Sequence, residues 1–396
     1  MLRSSLSLVS VTAFVLAFVA SATCAAATPG AAATPPAAPA TPIPTAPEVD
    51  ARSYILVDYR TDKILAAKDA VARMEPASLT KLMTAYIVFQ ELAAGKLKLE
   101  EPVNVSEHAW RSEGSRTFIE LGKPVSVQDL ILGMIVQSGN DATIALAERV
   151  AGTEDTFAQL MNSNAQRLGM TGTHFENSSG LPSPQHFTTA RDMSLLAIAM
   201  IRDYPQYYKW YSVREFEHNG IKQQNRNGLL ERDPSVDGLK TGHTDAAGYC
   251  LVTSALRDGM RLVSVVLGSA SMKARENASA ALLNYGFTFY DTKLAVKGGA
   301  VLASTPVWKA ETSPIDLGIK DDLYVTLPRS AAGNLKTEIV VQPRLIAPVS
   351  RDAGVGTVKV SAGKEIFATV PLHPLKEVAA GGWWRRLIDT IHLWFA

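Results

Sequence analysis

Residues 76–84 read PASLTKLMT and put Ser78 three positions before Lys81. A serine hydroxyl becomes an effective nucleophile only when a neighbouring base takes its proton, and helical side chains three apart share one face, so this lysine can be that base. It can act only while neutral. Burial, the positive end of a helix dipole and a second cation all disfavour protonated lysine. The pair therefore predicts a second lysine and proton-relaying groups from elsewhere in the chain. Spacing alone is weak support, because Ser361 and Lys364 repeat it. Two other segments supply the missing parts. QSGND brings Ser138 and Asn140, and GLKTGHTDAAGY brings Lys240, Thr241 and Gly242. Either could be a mere helix cap or strand edge when taken singly, although Gly242 stands where a backbone must approach a ligand closely.

The elements that must position these residues can be read from periodicity. Leu79, Leu82, Met83, Tyr86, Ile87 and Leu92 fall at helical spacing between Pro76 and Gly95, which puts Ser78 in the first turn of a helix. Further helices are expected at SVQDLILGMIVQ, NDATIALAERVAG and EDTFAQLMNSNAQRLGM. SYILVDYRTDKILAAK and GYCLVTSALRDGMRLVSVVLGS each read as a hairpin. Helices alternating with hairpins predict an antiparallel sheet covered by helices, an α+β arrangement over residues 50–292. Beyond Asp291, short β-branched runs broken by Gly and Pro predict a small all-β, sandwich-like domain over 293–375. There Ser361 and Lys364 fall in a turn between strands, where lysine is a solvated charge.

Both ends of the chain differ in character from the middle. Residues 1–27 carry Arg3, an apolar run from Val11 to Val19 and a small-residue tail between Ala20 and Ala27, the pattern of a cleaved secretory signal. Residues 28–49 are rich in Pro, Ala and Thr and read as an extended tether, with ordered structure beginning near Ser53. Cys24 would leave with the signal, so Cys250 would stand alone and no internal disulfide could form. Export without disulfides points to a bacterial envelope protein. At the other end, Trp384, Leu387, Ile388, Ile391, Trp394 and Phe395 share one face of a helix over 380–396, away from Arg385, Arg386, Asp389 and Thr390. That is the pattern of an interfacial helix too short and too polar to span a bilayer; docking on its own β-domain is the competing expectation.

The 396 residues carry 39 basic and 38 acidic side chains, a formal charge of +1, so there is no electrostatic footprint for nucleic acid. The seven histidines form no His-x-x-x-His or Cys-containing pair, and neither metal nor cofactor is expected.

Ser-x-x-Lys, Ser-x-Asn and Lys-Thr-Gly, in this order behind a signal, form the motif set of the penicillin-recognising serine enzymes. With NRNGLL, DGLKTGHTDAAGY, RLVSVVLGS, the NSSGL segment at 177–181, the β-domain and the C-terminal helix, the chain resembles a low-molecular-mass penicillin-binding protein of the D-alanyl-D-alanine carboxypeptidase type over nearly its whole length. The tether is longer than usual, and Glu231-Arg232-Asp233 is more charged than its counterpart in typical members. The resemblance implies that Ser78 attacks the carbonyl between the terminal D-alanines of a peptidoglycan stem peptide and that Lys81 takes its proton. It implies too that Ser138 passes the proton to the leaving amine while Asn140 holds substrate backbone. The Ser78 and His243 N–H groups would form the oxyanion hole, with Lys240, Thr241 and Gly242 beside it. Arg275 would bind the terminal carboxylate, and β-lactams would block the site by acylating Ser78. The resemblance further implies the periplasmic face of the inner membrane as the place of action. Arg226 and Asp245 are expected either to tune the site or to form structural ion pairs. A class A β-lactamase shares the motifs but needs a glutamate in an E-x-x-x-N loop, and Glu176 is followed four residues later by Gly180. An endopeptidase acting on crosslinks would share every motif, whereas an inactive scaffold of the same fold would have no need to keep a complete acylation set.

Overall fold

The computed structural model describes residues 43–395. The expected signal, Cys24 and the tether up to residue 42 lie outside the described residues, as do Ala396 and the Phe395 side chain. Ordered chain begins earlier than the expected Ser53. Ile43, Ala46 and Val49 pack on the apolar cluster that contains Tyr285 and Phe287, and Pro44 accepts a 3.0 Å hydrogen bond from the Tyr285 hydroxyl. Three spaced apolar residues inside a Pro/Ala-rich stretch were enough to dock its end.

The first half is built on a five-stranded antiparallel sheet. In spatial order its strands are Ile64–Lys68, Ser53–Asp58, Met260–Ser269, Gly248–Arg257 and Val236–Thr244. Both expected hairpins are present, and the second turns at Asp258 and Gly259, both at positive φ. Side chains alternate between two cores, as a period of two requires. Ile55, Val57, Val263 and Val265 face a helical core with Leu82, Phe89 and Ile144, while Leu56, Leu262 and Val266 face Leu282 and Leu283 of the helix Met272–Phe289. This bears out an antiparallel sheet covered by helices. The strand Val236–Thr244, which carries Lys240, lies at the sheet edge.

Helices appear at Lys81–Ala93, Asn140–Ala151 and Glu154–Arg167. The expected helix through SVQDLILGMIVQ changes character: Val127–Leu132 is α-helical, and Gly133–Gln137 widens into a π turn that ends at Ser138. A Cβ on Gly133 would come within 2.4 Å of Thr117 Oγ1, so only glycine lets the turn lie against that loop.

The β-domain contains a five-stranded sheet and the strand pair Tyr290–Val296 with Leu323–Pro328, around Leu317, Val325, Leu327, Val358 and Leu372. Lys364 sits in the turn between Gly356–Ala362 and Glu365–Pro374, as expected, but Ser361 lies within the first of these strands rather than in the turn. A polar joint ties the two halves together. Buried Asp58 accepts from Thr292 Oγ1 at 2.6 Å, and Lys63 donates to the Thr326 carbonyl at 3.1 Å.

Gly286, inside the helix Met272–Phe289, lies where an added Cβ would come within 2.5 Å of Leu262 Cδ1 and 3.0 Å of Leu56 Cδ2. Alanine gains about 1 kcal/mol of helix propensity over glycine, but overpacking a core typically costs about 1–3 kcal/mol. Gly286→Ala is therefore expected to lower the unfolding free energy by about 1 kcal/mol on balance. Chemical denaturation measures this, and a gain in stability would show that the leucines yield freely.

Candidate active site

Ser78 lies in the 3-10 turn Ala77–Thr80, and Lys81 is the first residue of the α-helix that follows. The serine therefore sits one turn ahead of the helix proper. Two glycines allow the rest of the fold to close on this turn. A Cβ on Gly242 would lie 3.1 Å from the Pro76 carbonyl, so the close approach expected there is to the nucleophile turn itself. Gly180, at φ +88°, passes so near that a Cβ would sit 1.8 Å from the Ala77 carbonyl oxygen. The NSSGL segment thus packs directly against the turn that carries Ser78.

Lys81 is buried, with Nζ 3.1 Å from Ser78 Oγ, 2.7 Å from Asn140 Oδ1 and 2.6 Å from the Ser179 carbonyl oxygen. Amide and carbonyl oxygens only accept hydrogen bonds. A neutral amine satisfies both with its two N–H bonds and turns its lone pair to the serine hydroxyl. Burial first, and then repulsion from Arg226, push the Lys81 pKa down to about 7, against the opposing pull of Glu154 and Asp141. Such a lysine is substantially neutral at physiological pH.

Lys240 is also buried, and its Nζ donates to the Thr241 carbonyl at 2.9 Å. Its pKa lies well below the usual lysine value, through burial and then the charges of Lys81, Arg226 and Arg275. The neighbouring charge that lowers the Lys81 pKa is that of Arg226 rather than Lys240.

Ser78, Ser138, Thr241, Gly242, His243 and Arg275 line one cleft of about 430 Å³, together with Ser115, Arg226, Tyr249 and Met272. Ser138 is held at φ +66° at the end of the π turn, and its buried Oγ has no partner among the described residues. Asn140 is engaged at both ends: Oδ1 accepts from Lys81, and Nδ2 donates to the Glu113 carbonyl at 2.6 Å. It holds the Lys81 amine in place, a contact beyond the substrate contact expected of it. Arg275 is fixed by Nη1 donating to the Gly242 carbonyl at 3.0 Å, while its buried Nε has no partner among the described residues. Arg226 forms no ion pair among the described residues and faces the cleft, so its action is electrostatic. Asp245 is exposed and outside the cleft lining.

Several functional groups escaped the sequence reading. The Ser179 and Glu113 carbonyls are backbone atoms and carry no sequence signal. Ser115 sits in SEGSRTF, whose polar composition reads as ordinary loop. Arg52 donates to the carbonyls of Ala246 and Ala247 at 2.8 and 2.7 Å and so braces the turn after His243, a link across 194 residues.

The family profile described as D-alanyl-D-alanine carboxypeptidase matches residues 40–271, and one described as penicillin-binding protein 5, C-terminal domain, matches residues 289–380. The chain is 42% identical over 361 residues to the D-alanyl-D-alanine carboxypeptidase DacA of Escherichia coli K12, covering 89% of this chain and 90% of that protein. It is 43% identical over 362 residues to DacC of the same strain, covering 88% and 90%. Penicillin-binding protein 5 from Haemophilus influenzae superposes with a TM-score of 0.82 at 38% identity, over 85% of this chain and 99% of that one. Penicillin-binding protein D2 from Listeria monocytogenes, in an ampicillin-bound form, superposes with a TM-score of 0.56 at 31% identity, over 60% of this chain and 98% of that one.

The lowered Lys81 pKa has a thermodynamic consequence. Between about 7, the folded value, and 10.5, the ordinary value, the unfolded chain holds a proton that the folded chain has released. Stability therefore rises with pH across that window and is lost as pH falls through it. Urea unfolding at pH 7 and pH 9.5 is expected to show the natural chain gaining on a Lys81→Met variant at the higher pH. A pH-independent difference would mean that the Lys81 pKa is not shifted.

Proposed function

The chain belongs to the D-alanyl-D-alanine carboxypeptidase family, and from that premise we propose that it removes the terminal D-alanine of peptidoglycan stem peptides through an acyl-enzyme on Ser78. The observation that carries this mechanism is the Lys81 amine, held against Ser78 Oγ with both of its N–H bonds taken by Asn140 and Ser179. Lys81 accepts the hydroxyl proton as Ser78 Oγ bonds to the scissile carbonyl carbon. The Ser78 and His243 N–H groups bear the oxyanion charge. Ser138 hands a proton to the departing amine, D-alanine leaves, and water then splits the ester to regenerate the hydroxyl. Lys240, Thr241 and Gly242 keep the cleft wall electropositive and close.

Arg275 suits the terminal carboxylate, since its Nε is an unmet donor in the cleft wall. β-Lactams would acylate the same serine. The β-lactamase reading loses ground. Glu176 accepts hydrogen bonds from Ser183 Oγ and the Gln185 N–H, which hold its carboxyl below the usual range, and it is not among the cleft-lining residues.

We also propose that the protein is exported and works at the periplasmic face of the inner membrane, attached by its C-terminal helix. Among the described residues no helix is long and apolar enough to cross a membrane. The helix Trp383–Phe395 instead leaves Trp383, Trp384, Leu387, Ile388, Ile391 and Trp394 exposed, the last at 81%. It meets its own domain through the polar side, where Asp389 accepts from the Lys309 N–H at 2.5 Å. That arrangement favours a membrane surface over docking of the apolar face on the β-domain.

Incubation with benzylpenicillin is expected to add one penicilloyl mass to Ser78, and Ser78→Ala should abolish both this adduct and D-alanine release. Undiminished release by the variant would overturn the mechanism. Arg275→Ala is expected to lower kcat/KM for a D-Ala-D-Ala peptide by on the order of 10²-fold while slowing penicillin acylation less, because two charge-assisted hydrogen bonds to the carboxylate are lost. Amidating the peptide C-terminus should reproduce that loss in the natural enzyme, and an amide cleaved as well as the acid would rule out the carboxylate role.

Removing residues 381–396 should free the protein from anionic lipid vesicles without lowering activity on a soluble peptide. Burying each large apolar side chain contributes roughly 1.5–3 kcal/mol before ordering costs, enough for reversible attachment. Co-sedimentation of the shortened chain with vesicles would assign the helix a different role.

A further inference from the structure

A line of hydrogen bonds reaches the nucleophile turn from behind, outside the cleft. Thr80 Oγ1 donates to the Ala77 carbonyl oxygen at 2.8 Å, His186 Nε2 lies 2.9 Å from the same Oγ1, and the Glu176 N–H donates to His186 Nδ1 at 3.2 Å. Both side chains are buried, Thr80 fully and His186 to within 3% exposure. The direction of every bond is settled by the two ends. A carbonyl oxygen can only accept, so the single Thr80 proton goes to Ala77, and His186 Nε2 must donate to Thr80. A backbone N–H can only donate, so Nδ1 must accept. The imidazole is therefore neutral and carries its proton on Nε2. Burial likewise pushes its pKa down to about 4.

The end point of this line matters more than its length. The Ala77 carbonyl and the Ser78 N–H belong to one rigid peptide plane, on opposite sides. Whatever holds the carbonyl oxygen also aims the N–H. Donation into a carbonyl polarises the peptide and makes its N–H a stronger donor, as in any hydrogen-bonded chain. Ala77 takes up φ +47°, a left-handed conformation that a non-glycine residue does not hold unaided. The carbonyl is also where Gly180 closes in. The plane needs an external restraint, and Thr80 with His186 supplies it.

We infer that Thr80 and His186 are positioning residues that aim and polarise the Ser78 N–H for the oxyanion of the acylation step. The inference rests on the carboxypeptidase reading, because it assigns a restraint to that reaction's oxyanion hole. His186 is not a proton carrier here: its Nδ1 faces a backbone N–H and its Nε2 a hydroxyl already committed to Ala77. It is not among the residues lining the cleft.

The test is Thr80→Val, which keeps the side-chain shape and deletes the donor, with Thr80→Ser as the variant that restores it. Removing an oxyanion-hole donor outright costs about 10²–10³ in rate, so a donor that remains but is loosened should lower the penicillin acylation rate constant by on the order of 10-fold. The dissociation constant of the preceding non-covalent complex should stay within about twofold, because the restraint acts on the transition state. Infrared difference spectra of the acyl-enzyme should show its ester carbonyl band at higher frequency in Thr80→Val than in the natural chain, since a weaker oxyanion hole polarises that carbonyl less. Thr80→Ser should return both rate and band. If Thr80→Val does not fold, the pair His186→Met and His186→Gln reads the line from its other end. Gln keeps an N–H near the Nε2 position and should outpace Met by several fold, with the lower band frequency. An unmoved carbonyl band, or equal rates within either pair, would overturn the inference. A natural chain that forms no adduct at all would instead overturn the carboxypeptidase reading.

Discussion

An amine serves as a base only after it has lost its proton, and water would keep a lysine protonated at neutral pH. The catalytic half of this protein is arranged around that constraint. Lys81 is stripped of water, faced with the positive charge of Arg226, and given two acceptors for its N–H bonds and none for a third except Ser78, the proposed nucleophile. Removing solvent alone would leave an unpaired polar group and an uncertain orientation. Asn140 and the Ser179 carbonyl solve both problems, since each holds one N–H and together they leave a single direction for the lone pair. Lys240 is buried behind the same wall, outside the cleft lining, and burial with the neighbouring positive charges lowers its own pKa.

That arrangement works only if the nucleophile turn cannot move, and three separate parts of the chain press on it. The edge strand reaches it at Gly242, the 177–181 segment at Gly180, and the Thr80–His186 line from the rear. In the first two places a side chain would be in the way of a backbone, which is why glycine stands there. The edge position of the strand Val236–Thr244 leaves its outer side unpaired, so one strand can seal the sheet's core with one face and border the cleft with its free edge. Arg52, at the opposite end of the catalytic sequence, braces the turn that follows.

The β-domain takes no part in the chemistry; none of its residues lines the cleft. It meets the catalytic half through the Asp58, Thr292 and Thr326 cluster and carries a helix whose apolar side faces solvent. A polar joint suits two bodies that fold around separate cores, because it fixes their contact by hydrogen-bond geometry rather than by shared apolar packing.

Much of this was legible beforehand, for local reasons. Helical spacing located the nucleophile helix, alternation located both hairpins, and the order of the three motifs identified Ser78, Lys81, Ser138, Asn140 and Lys240 as one chemical set. The amphipathic C-terminal helix followed from its periodicity. Apart from the order of the motifs, each of these signals lies within one short stretch of chain, where side-chain pattern and backbone geometry are directly coupled. What the sequence could not disclose depends on parts of the chain far apart. The Ser179 and Glu113 carbonyls have no side-chain identity to read. Arg226 stood out in the sequence, but whether it tunes the site or forms an ion pair was decided only when the fold turned it unpaired toward the cleft. Ser78 sits in a 3-10 turn and not in the helix proper, against Gly180 and Gly242 from distant segments of the chain. The docked end of the tether depends likewise on Tyr285, more than 200 residues distant. The sequence alone determined which groups are proposed to do the chemistry, because that is a matter of functional-group type and short-range spacing; only the tertiary structure decided their protonation and aim, because burial, backbone acceptors and neighbouring charge exist only once distant segments have met.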